Sequence, residues 1–170
     1  MTKTSIVMAD RAETDSEMAR DTLIVAGEIA DLRFHGKPLS LRASKMLHLL
    51  VRAAGGDACE RMTHSVGVAE LNETFHLSVA EFVDVARELA STSVQLRYVN
   101  KRGREAIKIG PMLADLEREL DEGTDPAIVS WEFSPVMRVL LSTSDHWAAL
   151  SRRAVLAFES RYALRLYEIV

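Results

Sequence analysis

The chain of 170 residues has little of several things. It holds one cysteine, Cys59, so no disulfide can form within it, and a reducing compartment is expected. No run approaches the ~18 consecutive apolar residues of a membrane-spanning helix. Its opening segment, MTKTSIVMADRAETDSEMARD, lacks the apolar core of a secretory signal, so a cytoplasmic location is expected. Neither Gly-rich loop that cradles nucleotide phosphates, G-x-x-x-x-G-K-[ST] or G-x-G-x-x-G, is present. His35, His48, His64, His76 and His146 are scattered, without an H-E-x-x-H pair. Cys59 with His64 and His76 lacks both zinc spacing and a fourth ligand. Catalytic residues, metal and cofactor are therefore all expected to be none. An excess of positive charge is also missing: the formal net charge is −4. That argues against this chain alone gripping nucleic acid tightly, because non-specific affinity comes from neutralising phosphates.

What is present is ordinary globular composition, 48 % hydrophobic and 27 % charged, in a chain long enough for one sizeable core. The charge is unevenly spread. Arg97, Lys101, Arg102, Arg104 and Lys108 face one acid, Glu105. Residues 115–125 reverse this, with Asp115, Glu117, Glu119, Asp121, Glu122 and Asp125 against Arg118. The acidic run has no calcium-loop pattern and reads as a solvated face or linker.

Residues 1–37 are expected to form a flexible lead-in, mobile over the first twenty and with a short strand or helical turn within 22–34. Ser40 can cap a helix over 41–54, whose stripe is Ala43, Met46, Leu47, Leu50, Val51 and Ala54; Gly55 and Gly56 stop it. Val66 and Val68 alternate like a short strand, and 71–75 suits a helical turn. Ser78 and Glu81 make the S-x-x-E capping box of a helix to about residue 91, with Val79, Phe82, Val83, Ala86 and Leu89 on its core face. The period then falls to two. SVQLRYVN, the turn KRG and EAIKIG form a β-hairpin with a basic tip. PMLADLEREL fits a strand or a Pro-started helix, with the strand preferred. AIVSWEFS is a strand, and Ser134–Pro135 opens a short helix. STSDHWAAL reads as a connector with a buried Trp147. One amphipathic helix follows to Val170, with Tyr162, Leu166 and Val170 on its packed face and no stop signal after it. Trp131, Trp147, Tyr162 and Tyr167 read as packing rather than base-stacking platforms. The order of helices leading into a basic-tipped hairpin is that of an α+β winged-helix domain, an antiparallel β-hairpin and sheet packed on helices.

Several segments carry a family resemblance. LSLRASKMLHLLVRAAG, STSVQLRY, WEFSPVMRVLL and above all FESRYALRLYEIV resemble the RepA/RepB-type plasmid replication initiators over roughly residues 38–170. Phe158, Ser160, Arg161, Tyr162, Ala163, Leu166, Tyr167 and Glu168 fit the family block that closes its first half. The resemblance implies a tandem of two winged-helix domains that binds repeated DNA sites (iterons) at a plasmid origin, and an operator as a dimer. It also implies that the first domain dimerises and adds mainly backbone contacts, while the second carries the chief recognition helix. The chain then looks like the first domain, over 38–170, with the second expected beyond it. Double-stranded DNA and a second copy are the expected partners, with host replication proteins as further candidates.

The hairpin cations Arg97, Lys101, Arg102, Arg104 and Lys108 are the candidate DNA-binding residues, since a wing can lay them along phosphates or into a minor groove. They equally suit a solvated tip or a charged edge strand. Arg42, Lys45 and Arg52 on the first helix, and Arg152, Arg153, Arg161 and Arg165 on the last, read more simply as exposed cations. The free hairpin edge could pair with its copy in another chain. The alternative is a free-standing winged-helix transcriptional regulator, but residues 79–91 are poor in the Arg, Lys, Asn and Gln that read base edges. A small cytoplasmic enzyme is a third reading, and it would need a polar constellation that the sequence does not display.

Overall fold

The computed structural model describes residues 21–26, 33–120, 123–144 and 147–169. The expected mobility of residues 1–20, the packing of Val170 and the burial of the Trp147 side chain lie outside what is described.

Helix α1 (Leu41–Ala54) begins where Ser40 turns extended and its hydroxyl accepts from the Ala43 N–H at 3.2 Å. It ends at Gly55, whose φ of +60 suits glycine. Ala43, Met46, Leu47, Leu50 and Val51 are buried as the stripe requires, and Ala54 is half-buried. Strand β3 (Thr63–Gly67) leads into α2 (Val68–Thr74), so Val68 opens a helix rather than continuing the strand.

Helix α3 (Val79–Ser91) carries the full capping box: Ser78 accepts from the Glu81 N–H, and the Glu81 carboxylate accepts from the Ser78 N–H at 3.0 Å. That backbone bond, the Ser78 hydroxyl and Arg42 hold the Glu81 carboxyl below its usual range. The buried face of α3 differs from the one expected. Phe82, Val85 and Leu89 point inward, while Val79 and Val83 are exposed. The helix packs between α1 and a later strand, and that rotation brings Val85 into the core.

The hairpin follows: β4 (Ser93–Val99) pairs antiparallel with β5 (Glu105–Pro111), Arg97 opposite Ile107. Three helices followed by a hairpin give the winged-helix order. In β6 (Leu113–Arg118) the two-residue period wins over the helical one, with a bulge between Leu113 and Asp115 where the strand joins β7 (Ile128–Phe133). Helix α4 (Pro135–Thr143) is capped by Ser134 and packs on the hairpin's inner face. There a Cβ on Gly110 would come within 3.3 Å of Val136 Cγ1.

The described strands make three antiparallel sheets, β2-β4-β5, β3-β7-β6 and β1-β8. Strands β1 (Thr22–Ala26) and β2 (Arg33–His35) pair with β8 (Trp147–Ser151) and β4. The lead-in of residues 1–37 thus supplies two strands, and part of the expected connector is a third. Trp131, Met46, Leu50, Leu89, Met112 and Met137 lie at the centre of one continuous core.

The C-terminal segment is two helices, α5 (Arg152–Ala157) and α6 (Arg161–Ile169), where one was expected. Phe158 is extended, and the Ser160 hydroxyl starts the second helix by accepting from Tyr162 N–H. The break is held from outside. The Lys45 ammonium donates to the carbonyls of Leu156 at 2.6 Å and Phe158 at 2.7 Å, filling acceptors that the ending helix leaves open. Lys45 is therefore a buried structural cation, 8 % exposed, and not the surface cation expected.

Helix α6 is folded but turned from the expected orientation. Leu164 is buried, whereas Tyr162 and Leu166 are 73 % and 65 % exposed. Polar anchoring sets this rotation. Glu168 lies 2.6 Å from Nε2 of buried His48 and accepts from Arg165 at 3.1 Å. Burial pushes the Glu168 carboxyl up, but the His48 and Arg165 bonds more than offset it and leave it below the ordinary value.

Candidate nucleic-acid interface

The tip of the hairpin is built by Asn100. Its side-chain oxygen accepts from the N–H groups of Arg102 at 2.9 Å and Arg104 at 3.2 Å, while its carbonyl accepts from Gly103 at 2.8 Å. Gly103 sits at φ +70, a conformation that costs a side chain about 1–2 kcal/mol. Asn followed by Gly three residues later was the signal for this ordered turn, and a reading of charges alone passes over it.

On that frame Lys101, Arg102 and Arg104 are exposed at the tip, and Arg97 is exposed on the outer face of β4. Lys108 is placed differently. It lies opposite Leu96, on the half-buried side that packs on α4, whereas Arg97 lies opposite Ile107 on the open side. The five cations therefore share a hairpin but not a face; four of them project together into solvent. Beside them on the open face stand exposed Val99, Ile107 and Ile109. β5 is an edge strand, so one side of its backbone is unpaired within this sheet.

Most of the remaining candidate cations have partners within the fold. Arg42 bonds Glu81 at 2.9 Å, Arg52 Nε donates to the Thr22 carbonyl at 3.3 Å, and Arg153 lies 3.7 Å from Asp21. Arg161 donates to the Tyr162 hydroxyl, and Arg165 is turned inward to Glu168. Among the described residues no cluster of His, Cys, Asp or Glu could hold a metal ion, and no helix is long and apolar enough to cross a membrane.

The family described as "Initiator Replication protein, WH1" matches residues 28–170. The chain belongs to that family. As a WH1 domain it is an α+β winged helix, in agreement with the order of its elements. A solved structure, that of the MSBI1.176 WH1 domain, a replication protein isolated from a multiple sclerosis patient, is similar at 16 % identity. It aligns with a TM-score of 0.43 over 61 % of this chain and 79 % of that one. No curated protein matches the WH1 chain.

Proposed function

We propose that this WH1 domain serves a plasmid replication initiator by contacting DNA phosphates at origin repeats and operator through its hairpin tip, and by forming homodimers. The observation that carries the DNA contact is the ordered tip, which presents Lys101, Arg102 and Arg104 on a fixed turn with Arg97 beside them. Backbone bonds hold the turn, so the cations meet a phosphate row with little left to organise. The free β5 edge, with Ile107 and Ile109 exposed along it, supports pairing with a second copy across the sheet.

The test is duplex binding by fluorescence anisotropy as a function of salt. Four outward cations give a slope of log K against log salt on the order of −3 to −4. Neutralising Arg97, Lys101, Arg102 and Arg104 together removes most of that slope, while Lys108→Gln alters it little. Binding that is tight, sequence-specific and indifferent to these four substitutions would refute the hairpin reading and favour a free-standing regulator.

A further inference from the structure

Helix α6 lies against the lead-in strand and α1 without filling the space between them. A cavity of about 240 Å³ remains there, walled by Phe34 of β2, Leu47 of α1, Met112 after β5 and Leu164 of α6. It reaches the core instead of denting the surface, because Leu47, Met112 and Leu164 are 2 %, 0 % and 1 % exposed. An apolar cavity of about 150 Å³ takes benzene. This one has room for such a ring and a short arm.

Three charged side chains complete the wall, Arg161, Arg165 and Glu168, all from α6. Glu168 is already matched, 2.6 Å from His48 Nε2 and 3.1 Å from the Arg165 guanidinium. Arg161 is not matched in charge. Its partner among the described residues is a neutral one, the hydroxyl of adjacent Tyr162 at 2.9 Å. Two guanidinium groups therefore stand against one carboxylate, and the wall keeps a surplus positive charge. The wall also shows how a ring sits beside such groups. The Arg165 guanidinium carbon lies 5.8 Å from the centroid of the Phe34 ring, within cation–π range.

We propose that this cavity binds a small aromatic monocarboxylate of about the size of phenylacetate, its ring among Phe34, Leu47 and Leu164 and its carboxylate on the Arg161 guanidinium. Charge and lining select this class together. The surplus arginine disfavours a cation. A phosphate or a sugar would lose its hydration against a wall that is mostly apolar. A neutral hydrocarbon would leave the guanidinium unused, whereas a planar carboxylate matches its fork. Occupancy has a mechanical effect as well. One side of the cavity is α6 and the other is β2 and α1, so the ligand bridges them and holds α6 down. The site uses none of the hairpin cations and stands apart from the DNA and dimer readings.

Titration calorimetry of the whole chain with phenylacetate tests it. A ligand of about ten non-hydrogen atoms should bind with a millimolar dissociation constant or better. Arg161→Gln should weaken phenylacetate at least ten-fold and leave phenethyl alcohol, its neutral counterpart, unchanged. Ser44 also lines the cavity, and Ser44→Leu fills it from α1 without altering charge, so both ligands should weaken at least ten-fold. Circular dichroism checks that the variants fold; Arg161 is partly exposed, so its substitution keeps the fold. Saturating phenylacetate should slow amide exchange in α6 several-fold while exchange in the hairpin stays as it was. Absence of binding, or acetate binding as tightly as phenylacetate, which would mean a surface ion pair, would overturn the proposal. So would equal affinity for phenethyl alcohol and phenylacetate, indifference to either substitution, or exchange in α6 that saturation leaves unchanged.

Discussion

At the scale of single residues, the largest effects come from polar side chains whose partners are distant in sequence. Lys45 stands in a helix among ordinary exposed cations, and its pattern signals solvent. Its partners are carbonyls 111 and 113 positions later, at a helix end that the periodicity of SRRAVLAFES does not reveal. Burial holds its ammonium below the usual lysine value, with Glu159 opposing. Lys45→Met removes two charge-assisted bonds and strands their acceptors. It should cost about 2–3 kcal/mol and lower the melting temperature by roughly 5–10 °C, measurable by calorimetry. Asn100 acts through geometry instead. Asn100→Ala should weaken duplex binding while leaving the salt slope unchanged, because it loosens the tip without removing a cation. A slope reduced by a full unit would show that Asn100 acts through the charges and not the turn.

At the scale of elements, the capped helices and the hairpin were legible because their signals are local: Ser40, the Ser78–Glu81 box, and a period of two that changes only at Asn100. The rotation of an element about its own axis was not. In α3 the choice between Val83 and Val85 as a core residue depends on where α1 and β6 lie, and no local pattern contains that. In α6 the apolar pattern favours burying Tyr162 and Leu166, yet the His48–Glu168–Arg165 network turns them outward. The network also makes the seat of α6 pH-dependent. Glu168 has its carboxyl lowered by folding, so its stabilisation is complete above the unfolded value near 4.5 and is lost as pH falls through the lower folded value. Melting curves from pH 7 to pH 3 should show an acid-side loss that Glu168→Gln reduces; identical slopes in the two chains would exclude this role. His48→Ala, which leaves the buried carboxylate with Arg165 alone, should cost about 3 kcal/mol at pH 7.

At the scale of the whole molecule, an overall charge of −4 coexists with a cationic projection, because five cations cluster on one hairpin against the single acid Glu105 while acids outnumber cations over the rest of the chain. The sequence made this asymmetry visible, but it could not separate Lys108 from Arg97, since that requires knowing which side of the sheet α4 covers. The joining of β1 to β8, across more than a hundred residues, was beyond any local signal. Gly110 ties sheet to helix in the same long-range way: Gly110→Ala should destabilise the domain, measured by urea unfolding, unless Val136 can shift by a few tenths of an ångström. The buried ammonium that braces the α5–α6 break has one more consequence. Amine-acylating reagents will modify exposed Lys37 and Lys101 at once, but will reach Lys45 only when that junction opens. Followed by mass spectrometry, the acylation of this one lysine is a chemical clock for how often the C-terminal helices lift from the rest of the domain.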